Sequence, residues 1–126
     1  MRRTILIITA ALGVLSIILG AFGAHALKET LSDSLLKSFE TAVRYQMYHI
    51  LVLLCINTTD YISDPYKNSI SYTMLTGILF FSGSIYLISL AQVTAKSIWF
   101  ITPLGGLFLI AGWILLLLAF IKTKKA

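Results

Sequence analysis

The stretch GAFGAHALK, Gly20 to Lys28, closes an uncharged run that begins at Thr4. A helix needs about 20 apolar residues to cross the roughly 30 Å hydrocarbon layer of a bilayer. The run ending at GAFGAHALK meets that requirement, and so do Asn68 to Ala95 and Ser97 to Ile121. A weaker fourth run lies around Tyr45 to Thr59. Over its 126 residues the chain is 58% hydrophobic and 12% charged, against about 25% charged in an ordinary soluble domain. Length and composition therefore predict one all-α integral membrane domain spanning residues 1–126.

The expected fold is an integral membrane four-helix bundle, with helices near 4–27, 34–58, 69–92 and 103–121 and an amphipathic helical segment between helices 1 and 2. Met1-Arg2-Arg3 ahead of an apolar run imitates a secretory signal, but the run exceeds a signal core and further apolar segments follow, so it reads as a first crossing. In helix 1, Thr9, Gly13, Ser16, Gly20 and Gly23 fall on one stripe, a spacing that lets a neighbouring backbone approach closely. At about 100° per residue His25 points away from that stripe.

From Lys28 to Arg44, Leu35, Leu36, Phe39, Ala42 and Val43 recur at helical spacing opposite Lys37, Glu40, Thr41 and Arg44. Ser32 or Asp33 suits the N-cap. Tyr45 to Asn57 covers only about 20 Å at 1.5 Å per residue. Helix 2 must therefore borrow its first turns from the amphipathic part, drawing Glu40 and Arg44 towards the membrane, where residues four apart can pair. Asp60 to Lys67, DYISDPYK, reads as a polar turn whose Pro65 stops helix 2.

Helix 3 repeats the small-residue device with Thr73, Gly77, Ser84 and Ala91, and Gly83 between Ser82 and Ser84 reads as a close-packing position rather than a nucleophile turn. Tyr72 and Tyr86 suit interfacial or packing roles. Trp99 and Phe100 read as an interfacial anchor, Thr102-Pro103 as a helix start, and Gly105 and Gly112 share one face of helix 4.

The net charge of +5 comes from Lys and Arg scattered at the ends of apolar runs, which reads as membrane flanks and not a nucleic-acid surface. With four crossings, Arg2, Arg3, Lys67, Lys122, Lys124 and Lys125 share one side, against Lys28, Lys37, Arg44 and Lys96 on the other. The excess favours both termini in the cytoplasm. Cys55, the only cysteine, allows no intrachain disulfide and reads as inert packing.

In order and spacing, GAFGAHALK, SFETAVRYQMYHILVLL, FFSGSIYLISL and ITPLGGLFLIAGW resemble the small membrane family known as domain of unknown function 423, or uncharacterised protein family 0382, with transmembrane protein 256 as a eukaryotic relative. The resemblance covers nearly the whole chain and implies a multi-spanning protein of the bacterial plasma (inner) membrane. It brings no activity, cofactor or catalytic residue.

The remaining dense polar chemistry is His25, Glu40, Arg44, Tyr45, Gln46 and His49. In a hairpin His25 and His49 are expected at similar depth. An ionisable residue in a membrane segment is a functional hypothesis, weighed against imidazoles that only tie helices together. As a binding set, Arg44 would hold an anionic group, Glu40 would position it, and the histidines would share protons. Paired histidines could instead ligate haem iron or a metal, although no carboxylate joins them at ligand spacing. The expectation is a non-enzymatic component without catalytic residue, metal or cofactor, binding a membrane lipid, a small ligand or a partner subunit. The alternative is an oligomeric transporter or channel-like protein.

Overall fold

The computed structural model describes residues 2–123; Lys124 and Lys125, counted in the charge balance, lie outside the described residues. Four long helices dominate: α1 (Arg2–Ala24), α2 (Asp33–Thr58), α3 (Asp64–Leu90) and α5 (Ile101–Lys122), with a short α4 (Ala95–Ile98) before the last. The described residues hold no strand. Three stretches, Arg2–Ala24, Asp64–Leu90 and Ala95–Lys122, are long and apolar enough to cross a membrane. Helix α2 is not among them: Asp33, Lys37 and Glu40 charge its first turns, and Arg44, Gln46, His49 and Asn57 make the remainder less apolar.

Helix α1 stops at Ala24, so His25 falls in the turn that follows and not on a helical face. A 3-10 turn over Leu27–Glu29 leads to Ser32, whose Oγ accepts the Leu35 amide N–H at 3.3 Å and caps α2. That bond satisfies one of the four donors a helix start leaves open. Helix α2 then runs unbroken for 26 residues, about 39 Å at 1.5 Å per residue. Its buried positions, Phe39, Ala42, Gln46, His49, Ile50, Leu53, Ile56 and Asn57, form one stripe at three- and four-residue steps, so the charged first half and the apolar second half are a single helix.

Pro65 does not end α2. Helix α2 closes at Thr58, and Pro65 sits in the first turn of α3, where a residue without an N–H breaks no intrahelical bond. Helix α3 therefore starts several residues before the position expected from sequence, taking in Asp64 and Lys67. At its far end Gln92 adopts a left-handed φ of 54° and the Val93 N–H returns to the Leu87 carbonyl. Helix α5 begins at Ile101, and Pro103 again lies in a first turn.

Successive long helices run antiparallel. Helix α3 packs against α5 on one side and α2 on the other, and α1 lies along α2. The α3–α5 register follows from its contacts: Met74 meets Gly112, Gly77 meets Leu109, the Phe80–Phe81 backbone meets Gly105, and Ser84 meets Thr102. Ile50, Leu53, Ile56, Ile62, Ile70, Met74, Ile78, Leu109, Leu116 and Ala119 form the core between the helices. Cys55 is exposed on α2 rather than packed inside, because it lies off the stripe that faces the core.

Candidate functional site

The polar residues anticipated from sequence separate into buried and exposed sets along α2. Gln46 and His49 are buried on the stripe between Ala42 and Ile50, whereas Glu40, Arg44 and Tyr45 project outward with His25. Glu40 and Arg44 form no ion pair among the described residues; Arg44 instead donates to the Thr41 hydroxyl at 3.4 Å. Nor do the two histidines share a level. Helix α1 meets α2 with Gly23 against Phe39, Gly20 against Val43 and Gly13 beside Ile50. His49 therefore lies level with the middle of α1, while His25 follows its end. About ten residues of α1 separate the two levels, roughly 15 Å along a helix.

Buried polar groups must find partners, and Gln46 does so across two interfaces. Its Nε2 donates to the Leu12 carbonyl of α1 at 2.9 Å, and its Oε1 accepts the Tyr86 hydroxyl of α3 at 2.8 Å. Tyr86, read from sequence as an interfacial or packing aromatic, thus joins three helices through one amide and also rests its ring 5.4 Å from that of Phe39. Ser82 adds a further α3–α2 tie, its hydroxyl donating to the Ala42 carbonyl at 2.7 Å.

His49 is held at both ring nitrogens. Its Nε2 lies 3.1 Å from the indole Nε1 of Trp113 on α5, and its Nδ1 lies 2.6 Å from the Tyr45 carbonyl. An indole N–H can only donate, so Nε2 accepts and Nδ1 carries the proton to the carbonyl. The network thereby fixes a neutral imidazole in one tautomer. Beside this pair an open groove of about 340 Å³ runs between α2 and α5, lined by Tyr45, His49, Phe81, Gly106, Ile110 and Trp113, among others. Among the described residues no group of three or more His, Cys, Asp and Glu side chains could hold a metal ion.

A second polar cluster lies at the opposite end and was not singled out from sequence. There Arg2 of α1 donates through Nε to the Asn57 carbonyl at the end of α2, and its guanidinium reaches Asp60 at 3.4 Å. Lys67 lies 3.5 Å from Asp64 and 3.9 Å from Asp60, and Asn57 donates to the Ser71 hydroxyl at 2.8 Å. The available signal was topological: Arg2 and Lys67 fall on the same side of an antiparallel bundle.

The glycines occupy different environments. A Cβ on Gly105 would overlap the Phe81 backbone, one on Gly77 would come within 2.6 Å of the Leu109 side chain, and one on Gly112 within 2.5 Å of Met74. On α1, Gly23 would press the Phe39 ring at 3.0 Å, whereas Gly13 and Gly20 leave ordinary contact distances. Gly83 has only its own helix's Leu79 nearby, at 3.9 Å.

Long apolar helices joined by buried interhelical hydrogen bonds define a helical membrane protein. A family model described as "Protein of unknown function (DUF423)" matches residues 19–106. The UPF0382 membrane protein SH2409 of Staphylococcus haemolyticus is 38% identical over 95% of this chain and 97% of its own length. YwdK of Bacillus subtilis, a UPF0382 membrane protein, is 36% identical over 95% and 98%. The UPF0382 inner membrane protein YgdD of Escherichia coli is 35% identical over 98% and 93%. The chain belongs to this UPF0382/DUF423 family of uncharacterised membrane proteins. No solved structure matches it significantly.

Proposed function

We propose that the chain is a four-crossing component of the bacterial plasma membrane with both termini cytoplasmic, and that it binds a lipid or lipid-like small molecule without transforming it. In this reading α2 is the fourth crossing, with its amphipathic first turns, Asp33 to Arg44, at headgroup depth. Three observations support that placement: α2 is about as long as α3, its buried stripe runs unbroken from Phe39 to Asn57, and its buried amides have protein partners. A relative named as an inner membrane protein supports the compartment, and the Lys and Arg excess supports the orientation.

The observation that carries the binding role is the groove beside His49 and Trp113. Its walls are aromatic and aliphatic apart from the imidazole–indole pair, and the protein interior binds ligands in such mostly apolar recesses with few polar groups. Both nitrogens of His49 and the Trp113 N–H are engaged by protein partners, so the pair offers a fixed aromatic wall to pack against and no free site for shuttling protons. Tyr45 at the rim adds a hydroxyl at an exposed position. Of the other residues expected to bind, Gln46 does not line this groove and ties α2 to α1 and α3, while His25, Glu40 and Arg44 lie outside it and would act only at the surface.

The test is native mass spectrometry of the full chain taken gently from its own membrane, beside the Gly106→Leu variant. A Cβ at Gly106 meets only the Phe81 ring edge at 3.9 Å, so a leucine side chain there has room to extend into the groove. The expected result is a retained small molecule in the native protein that Gly106→Leu loses. A bare monomer from native membrane sinks the proposal. A sharply defined homo-oligomer, or a complex with a partner membrane subunit, would move the weight to transport or assembly.

A further inference from the structure

We propose a binding site for a phosphate group at the Arg2 end of the bundle, in the cavity that Arg2, Asn57, Asp64, Lys67 and Asn68 enclose. The cavity holds about 240 Å³, several times the roughly 30 Å³ that a water molecule occupies in the liquid. It is distinct from the groove beside His49 and does not depend on the reading of that groove.

Lys67 carries the inference. Its side chain is only 4% exposed, yet its ammonium has three hydrogens to satisfy and the nearest carboxylates stand at 3.5 Å and 3.9 Å. Charge-assisted N–H···O bonds close to about 2.7–2.9 Å, so both contacts are ion pairs at long range. The carboxylates themselves face water, Asp60 at 93% exposure and Asp64 at 79%. The stem of Lys67 is packed inside while its ammonium makes no close bond to either acid, and Lys67 lines the cavity, so its charge is available there.

Arg2 lines the same cavity with a side chain that is 44% exposed. Its Nε–H is fixed on the Asn57 carbonyl, which aims the rest of the guanidinium, while Nη1 and Nη2 reach Asp60 only at 3.4 Å and 3.5 Å. A forked guanidinium and an ammonium on one cavity are the donor set that phosphate oxygens take, the fork through two parallel bonds and the lysine as a point charge. Asp60 is shared by both cations, its carboxylate 3.4 Å from Arg2 and 3.9 Å from Lys67. A phosphate would turn Asp60, and Asp64 on the cavity's own wall, towards the water that already solvates them. The cavity lies at the ends of α1, α2 and α3, so a phosphodiester headgroup could enter from the bilayer surface and a free phosphate from solution.

Native mass spectrometry of the full chain in nanodiscs would compare retention of dioleoyl phosphatidylglycerol with dioleoyl phosphatidylcholine. Calorimetry would follow inorganic phosphate and glycerol phosphate. For a lipid source, phosphatidylglycerol is preferred, Lys67→Gln and Arg2→Gln each reduce its retention about tenfold, and Asp60→Asn raises it. Asp60→Asn keeps every cation and decides the matter if Lys67→Gln does not fold. Equal dependence on these residues for soluble phosphate, with no lipid preference, supports the site and assigns it to free phosphate. Wild-type protein that binds neither, or lipid retention unchanged across all three variants, overturns the proposal. Gly106→Leu leaves this binding intact, which separates its failure from failure of the groove.

Discussion

The α3–α5 and α1–α2 interfaces solve one problem in two ways. Between α3 and α5, Gly77, Gly105 and Gly112 remove side chains so that the helices touch backbone to backbone or backbone to side chain. Between α1 and α2 the glycines leave ordinary gaps at Gly13 and Gly20, and a polar bond from Gln46 to the Leu12 carbonyl crosses the interface instead. In lipid there is little hydrophobic gain in hiding leucine from leucine, so helices associate through close packing and interhelical hydrogen bonds. The comparison teaches that a glycine stripe in sequence does not by itself report contact: only some of its glycines are in places where a methyl group has no room.

The largest effect should come from Gly105→Ala. The obstacle is the backbone of Phe80 and Phe81, which cannot rotate aside, so α5 must move bodily from α3. Overpacking typically costs about 1–3 kcal/mol and occasionally more, and this site belongs at or above the upper end, read as lost folded protein in detergent unfolding. Gly112→Ala meets the flexible Met74 side chain and should cost less, about 1 kcal/mol by the same assay; equal losses at the two positions would break the distinction between backbone and side-chain obstacles.

Gln46→Leu tests the polar interface. It removes the bonds to the Leu12 carbonyl and the Tyr86 hydroxyl and should destabilise by about 1 kcal/mol. A double-mutant cycle with Tyr86→Phe should show coupling, and strict additivity would mean the bond contributes nothing. The smallest effect is expected at Gly13→Ala, where the new methyl group faces Ile50 at 3.9 Å. Alanine is the better helix former by about 0.5–1 kcal/mol, so the variant should be neutral or more stable. A loss comparable to that at Gly105 would erase the contrast between the interfaces.

Much of the fold was legible because apolar length is a local property. The long uncharged runs, the Ser32 cap and the small-residue periods of α1, α3 and α5 each sit within a single segment. The candidate sites were less legible because they join segments that sequence keeps apart. Nothing local says that His49 will meet Trp113, or that Tyr86 will reach Gln46. The expected level of His25 and His49 erred because His49 lies about four turns into α2, which carries it to the level of Gly13, while His25 stays beyond the end of α1. Pro65 was read as a stop when it is a start, since proline suits the first turn of one helix as well as the end of another. Lys67 looked like a solvated flank charge for the same reason: it was assigned to a turn and belongs to a helix.

The closeness of α3 and α5 also orders events during synthesis. Gly105 and Gly112 lie in the last quarter of the chain, so the tightest interface cannot close until the ribosome has made nearly all of it. Until then the face of α3 that receives α5 has no partner from its own chain, and whatever shields that face in the nascent protein must leave as α5 arrives.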